Sequence, residues 1–196
     1  MLRWADTLAA KGGGWGYGFA PHTAIHSAVV LGLIEVKRAG LDAPQLNGAV
    51  AALKALRGTR GLYPYAQGGA VPADTPRESL GRSPIAEWAL FRAGSTTKEE
   101  ISSSLGVYLD GWSSAWDEGG KALRGEPLPD YFLFSRWYAL QAAREAGRLD
   151  DERVVALREG LLSHQAADGS WMDSPLWTGH VAGTALGVLS LAATRR

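Results

Sequence analysis

Residues 165–171 read Gln165-Ala166-Ala167-Asp168-Gly169-Ser170-Trp171, a glycine bend set directly against a large aromatic side chain. The same make-up occurs at Gly13-Gly14-Trp15-Gly16-Tyr17, at Gly61-Leu62-Tyr63-Pro64-Tyr65 and, more weakly, at Trp116-Asp117-Glu118-Gly119-Gly120. Gly14, Gly61, Gly119 and Gly169 lie 47, 58 and 50 positions apart. A near-constant spacing of that size marks tandem structural repeats. Composition agrees, because Gly at 25 and Trp at 8 of 196 residues suit many bends plugged by indoles.

The segments between the bends read as helices. Three Ala- and Leu-rich stretches end alike, at Lys37-Arg38-Ala39-Gly40, Phe91-Arg92-Ala93-Gly94 and Arg144-Glu145-Ala146-Gly147. A basic last turn followed by Gly is a helix stop, since Gly enters the left-handed region freely and the cation meets the negative helix end. Stretches 22–39, 80–93, 130–146 and 179–193 carry few charges and are expected to be buried on more than one face. Stretches 2–10, 44–56, 97–112 and 151–165 are one-sided, with stripes such as Leu46, Val50, Leu53, Leu56 and Ile101, Leu105, Leu109, Trp112. Pro44 suits a helix start, and Thr97-Lys98-Glu99-Glu100 has the pattern of a capping box. The strand-like candidate 61–66 is too short and too rich in Gly and Pro. The expectation is one all-α domain over 1–196, with eight helices in four hairpins stacked as a solenoid or a ring.

Charge and composition exclude several function classes. Twenty basic and twenty acidic residues leave no cationic surplus for nucleic acid. Zero cysteines exclude disulfides, thiol nucleophiles and Cys-ligated metals. No apolar run reaches the roughly 18–20 residues of a membrane span, and the first residues lack a signal peptide's pattern. A soluble, cytoplasmic domain is expected.

The 165–171 stretch resembles the Gln-x3-Gly-x-Trp repeat of squalene–hopene and oxidosqualene cyclases, and Gly183-Thr184-Ala185-Leu186-Gly187-Val188-Leu189 looks like the inner helix after such a repeat. The first bend is similar, with Ala9 where Gln would stand. Through the repeat pattern the whole chain resembles the terpenoid cyclase/protein prenyltransferase α/α toroid superfamily. That resemblance implies inner and outer helix rings around a cavity, with the motif's Gln and Trp tying helix ends together. Physically, an amide at Gln165 can bond across to the next helix end, Gly169 permits the reversal, and Trp171 plates the junction. The family's Asp-rich acid motif is replaced here by Ala20-Pro21-His22-Thr23-Ala24, and an imidazole is a poor acid for protonating an alkene. Without Cys, the zinc sites of the prenyltransferases and lanthionine cyclases cannot form, so no metal or cofactor is expected. With four hairpins, fewer than full toroids carry, the chain is expected to be a portion of a larger toroid, a homo-oligomer, or a small open variant.

Candidate catalytic residues are His22 and His26, on one helix face at i and i+4, together with Glu87 and Asp130. Glu87, inside an inner helix, needs a partner, for which Arg82 and Arg136 stand available. Further carboxylates fall near inner-helix entrances at Asp74, Glu78 and Asp173, and in the third loop at Asp117 and Glu118. Candidate ligand-binding residues are Trp15, Tyr17, Tyr63, Tyr65, Asp74, Tyr131, Trp137, Trp177 and His180, the rim expected of a central cavity. His164 reads as a surface or junction group. Segments 66–79 and 113–130 are long enough to act as lids. Three readings stay open: a cyclase-like domain holding an apolar isoprenoid, a carbohydrate-active toroid, and a non-catalytic binding or assembly module.

Overall fold

A computed structural model describes residues 14–16, 21–58, 61–67, 79, 81–122, 132–173 and 179–195, with backbone alone at 112–122 and 132. Among them all regular structure is helical: α1 (Thr23–Arg38), α2 (Leu46–Ala55), α3 (Ser83–Arg92), α4 (Lys98–Ala122), α5 (Phe132–Ala146), α6 (Glu152–Ser163) and α7 (Gly179–Ala193). One isolated β-bridge pairs His22 with Ala66. The helix expected over 2–10 lies outside the described residues.

The helices alternate between two layers. α1, α3, α5 and α7 stand side by side, and α2, α4 and α6 each fill the angle between two of them. Arg92, in the last turn of α3, reaches Glu35 near the end of α1 at 2.8 Å and Glu145 near the end of α5 at 3.7 Å. Three neighbouring inner helices therefore run in the same direction, as antiparallel hairpins in tandem require. The first and last members of the row, α1 and α7, share no extended interface, so the described residues form a two-layered array and closure into a ring is not shown.

Local chemistry explains the helix ends. At the ends of α1, α3 and α5 the glycines Gly40, Gly94 and Gly147 take φ of 77°, 70° and 71°. At each end two backbone bonds close the reversal, with Leu41 N–H donating to Val36 O, Ser95 to Leu90 O and Arg148 to Ala143 O. Residues 97–100 form the expected capping box, with Thr97 N–H on Glu100 Oε2 and Glu100 N–H on Thr97 Oγ1. Asp151 caps α6 by accepting from Arg153 N–H, and Arg148 and Arg153 hold its carboxyl well below the usual carboxylate range.

Packing follows the stripes. Leu46, Leu53 and Leu56 of the second hairpin are buried with Val30, Leu33, Ala86 and Leu90. Leu105 and Leu109 join Leu140, Ala143, Val154 and Leu157. Two expectations change. Trp116–Gly120 does not form a bend: α4 runs on through it to Ala122, so the third outer helix is longer and its loop shorter than read. Gly119 and Gly120 cost the helix only about 1 kcal/mol each, which a helix of this length can carry. The fourth inner helix is also not buried all round. Val181, Val188 and Leu189 are exposed, and among the described helices α7 packs mainly on α5 and, less, on α6.

Candidate functional site

Each inner helix carries a polar residue in its first turns, and most of these are consumed by the preceding bend. His26 is fully buried. Its Nδ1 accepts from Trp15 N–H at 3.1 Å, and its Nε2 lies 2.7 Å from Ala49 O. A backbone N–H can only donate and a carbonyl only accept, so the ring is neutral with its proton on Nε2. Burial pushes its pKa down, in the same direction. Gly14 is pressed against Pro21 and His26, leaving no room for a Cβ.

In the second hairpin the first turns of α3 hold Glu87, 1% exposed. Its partner is neither Arg82 nor Arg136 but Arg57, whose Nε sits 2.6 Å from Oε1, and Tyr63 Oη donates to the same oxygen at 2.7 Å. Arg57 follows α2 directly, thirty positions away, and only the hairpin's packing brings it there. Its bond to Glu87 holds the guanidinium firmly charged, while burial and then the Glu87 charge push the Tyr63 phenol far up. Gly61, at φ 71°, admits this cluster because a Cβ would stand 2.7 Å from Ser104 Oγ. Arg82 instead donates to Tyr63 O at 3.0 Å.

The third inner helix buries Arg136, 1% exposed, and desolvation lowers its pKa to about 10 against the opposing pull of Tyr108 and Asp173. Asp173 also accepts from Leu133 N–H at 2.5 Å, so the last bend caps the start of α5. In the fourth hairpin Trp171, 4% exposed, donates through Nε1 to Leu161 O at 2.8 Å. Its backbone N–H meets Thr184 Oγ1 at 3.1 Å, and its ring lies on Gly187, where a Cβ would stand 2.8 Å from the indole. Gly169 has φ 84°, as the reversal requires. Gln165 does not bond to another helix end; its amide closes on Gly169 O of its own bend at 2.8 Å. The amide's short reach favours the carbonyl four residues on.

At the entrance to α1 the first two bends meet. His22 N–H donates to Trp15 O, Thr23 N–H to Tyr65 O, and Thr23 Oγ1 to Pro64 O at 2.6 Å. The Tyr65 ring takes the edge of His22 at 4.7 Å and the Arg82 guanidinium at 5.5 Å. Partial burial lowers the His22 pKa from the ordinary imidazole value.

A different character marks the accessible stripes of α3 and α5. Trp88 stacks on Tyr138 at 5.7 Å, and Tyr138 meets Phe134 at 4.7 Å and Trp137 at 4.3 Å. Tyr138 forms the buried floor, its phenol pushed up to about 12 by desolvation, while Trp88, Phe134 and Trp137 above it are half-buried. The indole N–H groups of Trp88 and Trp137 are buried and find no acceptor among the described residues. Phe134, Trp137 and Gln141 recur at helical spacing, a signal by which the stripe on α5 is legible; Trp88, on another helix, carries no such signal.

The expected constellation is thus partly gathered. Trp15 with His26, His22 with Tyr65, and Tyr63 with Glu87 are brought together, whereas His22 and His26 turn to different surroundings. His180 is exposed on α7, its Nδ1 3.0 Å from Ser170 Oγ, and His164 Nδ1 bonds Gly160 O at 3.1 Å. Tyr17, Asp74, Glu78, Asp130, Tyr131 and Trp177 lie outside the described residues, as do the side chains of Asp117 and Glu118 and most of the 66–79 segment. Among the described residues no cluster of His, Asp and Glu could hold a metal ion, and no helix is long and apolar enough to cross a membrane. Comparison with family models, curated proteins and solved structures gives no match.

Proposed function

We propose that the chain is a terpenoid-cyclase-like helical-hairpin domain whose inner row binds an apolar, isoprenoid-type ligand. The supporting observation is the aromatic stripe of Trp88, Phe134 and Trp137 over Tyr138. It continues in character on α7, which has no charged residue between Gly179 and Ala193 and leaves Val181, Val188 and Leu189 exposed. Indole and phenyl faces suit a polyene by dispersion and offer a cation-stabilising surface. Binding, rather than alkene protonation, is the proposed role. An imidazole such as His22 is a poor acid for protonating an alkene, and the Glu87 carboxyl is engaged by Arg57 and Tyr63. The carbohydrate reading needs two available carboxylates facing one cavity. Among the described residues the candidate carboxylates Glu87 and Asp173 are both engaged in bonds of their own.

The test is titration of the full chain with farnesol and, separately, with xylo- and manno-oligosaccharides, read by tryptophan fluorescence and NMR. The expected result is saturable farnesol binding, weakened at least about tenfold in Trp137→Ala, consistent with losing a buried aromatic contact. Saccharide binding without farnesol binding, or farnesol binding indifferent to Trp137, would overturn the proposal.

A further inference from the structure

At the opposite end of the inner helices, a cleft of about 370 Å³ runs between the ends of α1 and α3 and along α2. Its wall on α2 is Asn47, Val50, Ala51 and Lys54, spaced i, i+3, i+4, i+7 and therefore one continuous stripe. Leu46, Val50 and Ala93 make the floor apolar, and Lys37 and Lys54 stand at its rim. Neither lysine has an ion-pair partner among the described residues. Glu35 is paired with Arg38 and Arg92, and Glu100 with Arg57, while Asp42 stands exposed in the turn between α1 and α2. The cleft thus combines a volume in the range of small-molecule sites, an apolar floor and two lysines without an ion-pair partner among the described residues.

We infer that this cleft, independently of the inner face, binds a small amphipathic anion: an alkyl carboxylate or alkyl phosphate whose chain lies on Leu46, Val50 and Ala93 and whose head group meets Lys37 or Lys54. The stripe from Asn47 to Lys54 spans about 10 Å of helix, which matches a chain on the order of eight carbons. An ammonium head group would face two like charges, and a neutral one would leave both lysines without gain.

Octanoate, octyl phosphate, octanol and octylammonium are titrated into the full chain and followed by amide NMR. The expected result is saturable shifts at Lys37, Asn47, Val50, Lys54, Ala93 and Ser95 with the two anions, at least tenfold tighter than octanol, and none with octylammonium. The double variant Lys37→Glu, Lys54→Glu, both sites being exposed, should keep the circular dichroism spectrum and lose at least tenfold in octanoate affinity. Equal binding of octanol, shifts centred on other residues, or no saturation by either anion would overturn the inference. A difference between octanoate and octyl phosphate identifies which head group the lysines prefer.

Discussion

The first bend and the last perform the same closure with different residues. At the first, Trp15 N–H is accepted by the His26 imidazole, which in turn donates to Ala49 O on the next outer helix. At the last, Trp171 N–H is accepted by the Thr184 hydroxyl, and the indole itself donates to Leu161 O on the preceding outer helix. Close approach is provided by Gly14 in one case and by Gly183 and Gly187 in the other. What recurs is a large ring, a glycine that lets the bend approach the inner helix and one polar atom for the bend's orphan N–H; the residue types are free to vary. Unsatisfied, that N–H would cost about 1–3 kcal/mol. A polar residue on an inner helix is thus explained by the bend it serves before any chemistry is assigned to it.

The comparison can be broken by mutation. Trp171→Ala should have the largest effect, about 3–5 kcal/mol of stability, since it empties a site enclosed by Leu133, Leu161 and α7. Denaturant unfolding with an unchanged m-value would read that loss, and a cost below about 1 kcal/mol would show the plate to be dispensable. Gly187→Ala should cost about 1–3 kcal/mol, because the new methyl meets the indole and the ring cannot retreat while held by Leu161 O. Combining it with Trp171→Ala should relieve that penalty, and simple additivity would show that the two residues do not meet. Thr184→Val, smallest of the three, should cost about 1 kcal/mol by leaving the Trp171 amide without its acceptor.

The helical hairpins were legible where the signal is local. The ends at Gly40, Gly94 and Gly147 and the Thr97 cap depend on residues within a few positions, and each forms as read. So did the burial of Trp15 and Trp171, because a bend with an indole has one apolar direction to turn. The misread bend at Trp116–Gly120 shows the reverse weakness: two glycines permit a turn but do not compel one, and α4 continues through them. The roles of His26 and Glu87 were not legible. As titratable groups on an inner helix they suggest catalysis, but their partners Trp15, Ala49, Arg57 and Tyr63 come from other elements. The aromatic site was half visible, through Trp137; Trp88 enters it only because α3 packs beside α5.

If the polar groups of the inner helices belong to the bends, the inner face is left to apolar contact, and His26 is where that claim is most exposed. The measurement is a pH titration of the His26 ring nitrogens by ¹⁵N NMR, paired with unfolding at each pH. The account predicts a neutral ring protonated at Nε2, with a pKa below 6.5. The unfolded chain then takes up the proton first, so this contribution to stability is complete above about pH 6.5 and is lost as pH falls toward the folded pKa. A ring protonated at Nδ1, or one titrating at or above 6.5 with stability flat through that range, would contradict it.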